Sequence, residues 1–105
     1  MSVGIAFNLR WSVPKWRDAE TKTRAIGLLQ RKIDEAELNF NQLGIKVKHY
    51  FHREMDGAML GFTFQSGVNE QRLIAVFEFI VELQESLHEL VDDLRFTKIS
   101  YSDQE

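Results

Sequence analysis

The apolar residues of this chain switch repeatedly between two spacings, and this switching limits which folds the chain can adopt. In residues 2–10, 45–54 and 58–66 they fall at every second position, which is the period of a strand with one buried face. Between the first two of these segments, and again after the third, they recur every three or four positions, which is the period of an amphipathic helix. A last strand is predicted from about Arg95 to Tyr101.

Capping signals set the ends of the two predicted helices. The first helix is expected from Asp18 to Gly44, because glycine readily adopts the left-handed backbone conformation that ends many helices. The second is expected from an Asn69 cap to Asp93. Its main apolar stripe consists of Leu73, Val76, Ile80, Leu83, Leu87, Leu90 and Leu94, and Ile74, Phe77 and Val81 widen that stripe.

The predicted order is therefore βαββαβ, which resembles the ferredoxin-like fold over the whole chain. This resemblance implies an α+β domain with two helices on one face of a four-stranded antiparallel sheet, with the first and third strands in the centre. No linker, repeat or low-complexity segment interrupts the sequence, so residues 1–105 are predicted to form a single domain.

Three functional classes with this fold do not match the residues. RNA-recognition domains stack bases on aromatic residues of the central strands, whereas those strands present no aromatic residue to the open face here. Because the chain also carries a net charge of −3, we do not expect nucleic acid as a partner. Acylphosphatases need a glycine-rich first loop, and the first loop here contains no glycine. Metal carriers with this fold use a cysteine pair, and the chain contains no cysteine.

No catalytic, cofactor or metal site can be defended from the sequence. His49 and His52 lie three apart on a strand and point to opposite faces, so they cannot hold one metal ion together. His88 has Glu85 and Glu89 nearby and is the remaining candidate for acid–base chemistry, although a solvated polar face is the more ordinary interpretation. We expect a protein without enzymatic activity or cofactor.

The cytoplasm is the expected compartment. The absence of cysteine suits a reducing environment. No apolar run approaches the roughly 20 residues that cross a bilayer, and the N-terminus lacks the features of a signal peptide. No contact with a membrane is expected.

Negative charge is concentrated in the second predicted helix. From Leu73 to Asp93 the chain contains no lysine or arginine. An acidic ribbon on one helix face is predicted from Glu78, Glu82, Glu85, Glu89 and Asp92. Like charges at this spacing destabilise a helix, so a function is a reasonable explanation for their presence. The alternative is a solvated face that is partly neutralised by Lys22, Arg24, Arg31 and Lys32 of the first helix.

Two further features indicate interaction surfaces. Trp11 and Trp16 flank Pro14 in the first loop, where they either cap the core or anchor a partner. The open sheet face is predicted to carry small residues, Gly4, Ala6, Gly61 and Thr63, which would let a second copy approach the backbone. A homodimer is therefore expected, and the extra apolar residues of the second helix, with Phe79 off the main stripe, are another possible contact.

These observations predict a non-enzymatic protein-binding module, in particular a small acidic inhibitor or immunity-type antagonist of a basic protein. The alternative is a dimeric regulatory domain that binds a small ligand at the sheet or subunit interface. A third hypothesis is an enzyme that uses His88 or the open sheet face.

Overall fold

A computed structural model describes residues 2–12 and 18–103, which form four strands and two helices. In chain order these elements are β1 Ser2–Ser12, α1 Asp18–Gln42, β2 Ile45–Phe51, β3 Gly57–Phe64, α2 Glu70–His88 and β4 Asp92–Asp103.

The strands form one antiparallel sheet in the order β2-β3-β1-β4. β1 pairs with β3 on one side and with β4 on the other, so β1 and β3 are the central strands. The predicted βαββαβ architecture is therefore confirmed, with both helices on one face of the sheet. The opposite face, called the open sheet face below, carries the alternate residues of each strand.

Aromatic side chains fill the space between sheet and helices. Phe62 of β3 lies at the centre of this cluster, with its ring centroid 6.1 Å from Phe7, 5.4 Å from Phe40 and 6.1 Å from Phe79. The rings meet edge to face, an arrangement that aromatic pairs prefer over face-to-face stacking. Phe79 is itself 8% exposed, so the prediction that it is a surface contact was wrong.

α2 begins where the sequence predicted and ends earlier. The Asn69 side chain accepts a hydrogen bond of 2.8 Å from the backbone N–H of Arg72, which caps the first turn. At the other end the N–H groups of Leu90 and Val91 both donate to the carbonyl of Leu87, and Val91 turns into the core. The helix therefore stops at His88, before the acidic pair that follows.

Candidate functional site

The outward side of α2 carries two kinds of side chain next to each other. The capped helix places Val76, Leu83 and Leu87 on the sheet. The helical period then sets the residues one-half turn away from these into solvent. We call this surface the α2 outer face, and it consists of Ile74, Phe77, Glu78, Val81, Glu82 and Glu85.

The apolar half of the α2 outer face was predicted to widen the buried stripe of the helix and, as extra apolar surface, to offer a possible contact. Ile74, Phe77 and Val81 are instead 48%, 40% and 52% exposed. The prediction failed because Phe79 takes the core position on the α1 side, which turns the buried stripe away from Ile74 and Val81. Phe77 lies at the boundary: its ring meets Phe7 edge to face at 6.0 Å while one side stays in solvent.

The acidic half consists of Glu78, Glu82 and Glu85, all exposed. Within residues 2–12 and 18–103, none of these carboxylates forms an ion pair or a hydrogen bond. Two ion pairs in this part of the chain join Arg10 to Asp56 and Arg95 to Asp93, and neither involves a residue of α2. The three side chains are therefore open to solvent.

The acidic ribbon was predicted to consist of five residues on one helix, but two of the five lie outside the body of α2. Glu89 is the C-cap of α2 rather than part of its body. Asp92 is the first residue of β4, where its backbone carbonyl accepts a hydrogen bond of 3.3 Å from the Ser12 hydroxyl. The helix ends at His88, and Val91, just before Asp92, packs in the core. Asp92 therefore does not continue the helical row.

The two ends of the row have different surroundings on α1. Glu85 and Glu89 line a groove whose other wall carries Arg24, Arg31 and Lys32 together with Glu35, so three of the cations named in the alternative interpretation lie at this end. Glu78 and Glu82 line a second groove opposite Ala36, Asn39 and Phe40, where α1 offers no charge. The uncompensated charge of the α2 outer face is therefore centred on Glu78 and Glu82.

Of the two tryptophans, Trp11 is the one that the structure describes. Trp11 is 5% exposed and belongs to the core, in agreement with the core-capping alternative, so its proposed role as a surface anchor has to be corrected. The register of β1 with β4 shifts between Arg10 and Ser12, on either side of this residue. Its backbone N–H donates to the carbonyl of Asp56 at 2.9 Å. Trp16 lies outside the described residues.

The open sheet face is not a bare strip of small residues. The ring of Tyr101 lies directly over Gly4, and its hydroxyl shares a hydrogen bond of 2.9 Å with Thr63. The space above Gly4 is thus filled by the chain itself. Ile99, close to Tyr101 on β4, is 45% exposed.

The histidines are dispersed, as the sequence predicted. Nε2 of His49 lies 3.1 Å from Oε1 of Gln30 on the helix side of the sheet. Nε2 of His52 lies 2.7 Å from Oδ1 of Asn8 on the open face, and His88 is exposed at the end of α2. In the part of the chain that the structure describes, no group of three acidic or histidine side chains is arranged to hold a metal ion. Neither described helix combines the length and hydrophobicity of a membrane span.

No protein-family model and no curated protein sequence matches this chain. Solved structures, in contrast, align with this chain over nearly its whole length. Rv0793 from Mycobacterium tuberculosis aligns with a TM-score of 0.56 and 13% identity over 99% of this chain and 98% of its own. A protein of unknown function from Bacteroides thetaiotaomicron, described as a possible oxidoreductase, aligns with a TM-score of 0.56 and 14% identity, over 95% of this chain and 97% of its own.

A de novo designed protein with a ferredoxin fold aligns with a TM-score of 0.53 and 12% identity, over 98% of this chain and 87% of its own. At such low identities these similarities concern the backbone alone. The chain therefore shares its ferredoxin-like fold with natural and designed proteins of unrelated sequence.

Proposed function

We propose that this chain is a non-enzymatic protein-binding module that docks through the α2 outer face on a basic protein. In its sharper form, the chain is an acidic inhibitor or immunity-type antagonist whose carboxylates occupy a cationic surface of its target. The observation that carries the proposal is the juxtaposition of solvent-exposed Ile74, Phe77 and Val81 with the unpaired carboxylates of Glu78 and Glu82.

The apolar half would supply affinity. Isolated apolar residues on a surface are normal, but a contiguous patch is typical of interaction sites. Burial of the exposed part of each of the three side chains is worth roughly 1 kcal/mol. Phe77 is partly held by Phe7 already, so little conformational freedom is lost when a partner covers it.

The acidic half would supply specificity and speed of association. Exposed carboxylates steer a cationic partner from a distance and repel an anionic one, and salt screens this effect over about 10 Å. Where stability alone is selected, lysines are usually interspersed in such a row. Their absence from Leu73 to Asp93 is therefore in keeping with selection for binding.

Affinity capture with a charge-matched control tests the proposal. The immobilised chain is exposed to a lysate of the cells that make it, next to a variant in which Glu78, Glu82 and Glu85 become Gln. The control variant changes the exposed Glu20, Glu37 and Glu54 to Gln, which alters the net charge equally. The wild type and the control should capture the same basic protein, and the α2 variant should lose it.

High salt should weaken the captured complex without abolishing it, because the apolar contact is not screened. If the α2 variant captures the same proteins as the wild type, the α2 outer face is not the docking surface and the proposal is wrong.

A second candidate is the homodimeric regulatory domain with a small-ligand site at the sheet or subunit interface. The observation that favours it is the apolar middle of the open sheet face, where Ile99 is 45% exposed beside Ala6. Sedimentation of the wild type and of Ile99→Asp tests this candidate. A dimer that Ile99→Asp converts to a monomer would support it, whereas a monomeric wild type would remove it.

A further inference from the structure

We propose that the partner contributes an amphipathic helix, which packs lengthwise along α2 with its apolar residues on Ile74, Phe77 and Val81 and basic residues opposite Glu78 and Glu85. This inference rests on the proposed function and specifies which structural element of the partner is recognised.

The spacing of the exposed apolar residues carries the inference. Ile74, Phe77 and Val81 are separated by three and then four residues, which is the repeat that one helix presents to another in a coiled coil. They span two turns, or about 10 Å of helix axis. Such a row offers holes for the side chains of an adjacent helix. It offers no free backbone N–H or C=O group, which is what an added strand would need. We call this row the α2 seam.

The charges beside the seam determine the character of the partner. Glu78 and Glu85 are seven residues apart and therefore lie on one flank of the seam, at the position where coiled-coil helices form interhelical ion pairs. An antiparallel α2 helix of a second copy would set these carboxylates against identical ones. Lysine or arginine in the facing helix would form ion pairs with Glu78 and Glu85. The partner favoured by these charges is therefore a different, basic protein and not a second copy of this chain.

The position of the seam leaves room for a third helix. Phe77 contacts Phe7 of β1, and the Lys98 Nζ of β4 lies 6.0 Å from the centre of the Phe77 ring, so the seam faces the β4 side of the molecule, away from α1. On that side the helix-facing residues Lys98 and Ser100 of β4 are exposed. A partner helix beside α2 would extend the existing helix layer over this edge of the sheet.

Three synthetic peptides test the inference directly. The first is a helix of about three heptads with leucine at its seam positions and lysine on the flank that would face Glu78 and Glu85. The second keeps the leucines and has glutamate on that flank. The third contains the residues of the first in an order that destroys the seam. Binding of each is measured by fluorescence anisotropy to the wild type, to Val81→Asp, and to Leu38→Asp, which changes an apolar residue of α1 that is 69% exposed.

The lysine peptide should bind the wild type and Leu38→Asp equally, and Val81→Asp at least about ten-fold more weakly, since a buried carboxylate in the seam costs that much or more. The glutamate peptide and the reordered peptide should each bind the wild type at least about ten-fold more weakly than the lysine peptide. Unfolding curves establish that Val81→Asp is folded, as expected for a half-exposed position.

Equal binding of the reordered peptide would overturn the inference, because charge alone would then explain the attraction. The inference would also be overturned if the lysine peptide did not bind the wild type, or if it bound Val81→Asp equally well. A wild-type dimer that dissociates in Val81→Asp would overturn it too, because the seam would then bind a second copy of the chain. The protein-binding proposal is tested separately, by the capture experiment. If the captured partner is lost when the glutamates are changed but still binds Val81→Asp, the protein-binding proposal holds and only the inference of a partner helix is wrong.

Discussion

At the residue scale, Gly4 shows how a small residue on an exposed sheet face can serve the chain's own packing. A Cβ at this position would overlap the ring of Tyr101, which reaches across β1 to share a hydrogen bond with Thr63. Glycine is therefore required at position 4 by a residue of the last strand. The local sequence contains no sign of this, which is why the small residues were interpreted as room for a second molecule.

Gly4→Ala should destabilise the fold by about 1–3 kcal/mol, since the added methyl forces the Tyr101 ring from its place. Gly61→Ala is the matched control, because its Cβ would lie 3.6 Å from the Tyr101 hydroxyl, an ordinary contact. Urea unfolding of both variants measures the difference. In a Tyr101→Ala background the cost of Gly4→Ala should largely disappear, and an unchanged cost would mean that the ring is not its cause.

At the element scale, the helices were predictable in their existence and less so in their rotation and ends. Asn69 and Gly44 indicated their caps correctly, because cap chemistry is local. The rotation of α2 was not predictable, because the many apolar residues of its predicted stripe compete for one buried face. Phe79 packs against Phe40 and Phe62 and is buried, whereas Val81 is exposed. The exposure of the α2 seam is a consequence of this packing.

Two glycines of the α1 region should respond in opposite directions to alanine. Gly27 lies in mid-helix, and a methyl group added there would meet nothing within 4 Å, so Gly27→Ala should stabilise the protein by about 0.5–1 kcal/mol. Gly44 has a φ of 76°, and its Cβ would approach Arg72 Nη2 at 3.1 Å. Gly44→Ala should therefore destabilise by about 1–2 kcal/mol. Thermal unfolding measures both, and equal signs would contradict the helix boundaries given above.

The acidic half of the α2 outer face should oppose stability slightly. Glu78 and Glu82 are four apart on the helix, and neither faces a cation of α1. Changing both to Gln should raise the free energy of unfolding by a few tenths of a kcal/mol at low salt, and the gain should vanish at high salt. Chemical denaturation at two salt concentrations measures it. A clear loss of stability would mean that these carboxylates have a structural role inside the chain.

At the scale of the whole molecule, the element order was predicted correctly because each hydrophobic period is a local signal and the βαββαβ order leaves few topologies. The candidate site was predicted only in part. Its glutamates are evident in the sequence, but their apolar neighbours were predicted mainly as a wider buried stripe. Asp92 and Trp11 were placed on a surface they do not share with α2. The burial of these residues depends on packing between elements that are distant in the sequence, and the local sequence around each residue does not reveal that packing.

Within residues 2–12 and 18–103, exposed apolar residues and unpaired carboxylates coincide on the α2 outer face, and the central claim is that a basic protein binds there. Site-specific photo-crosslinking tests it most directly. A photoreactive amino acid replaces Val81 on the seam, Leu38 on α1, or Lys48 on the open sheet face, all of them exposed. Position 81 is predicted to give a covalent adduct with one basic protein, and positions 38 and 48 are predicted to give none with it. An adduct with that protein from position 38 or 48, and none from 81, would contradict the claim.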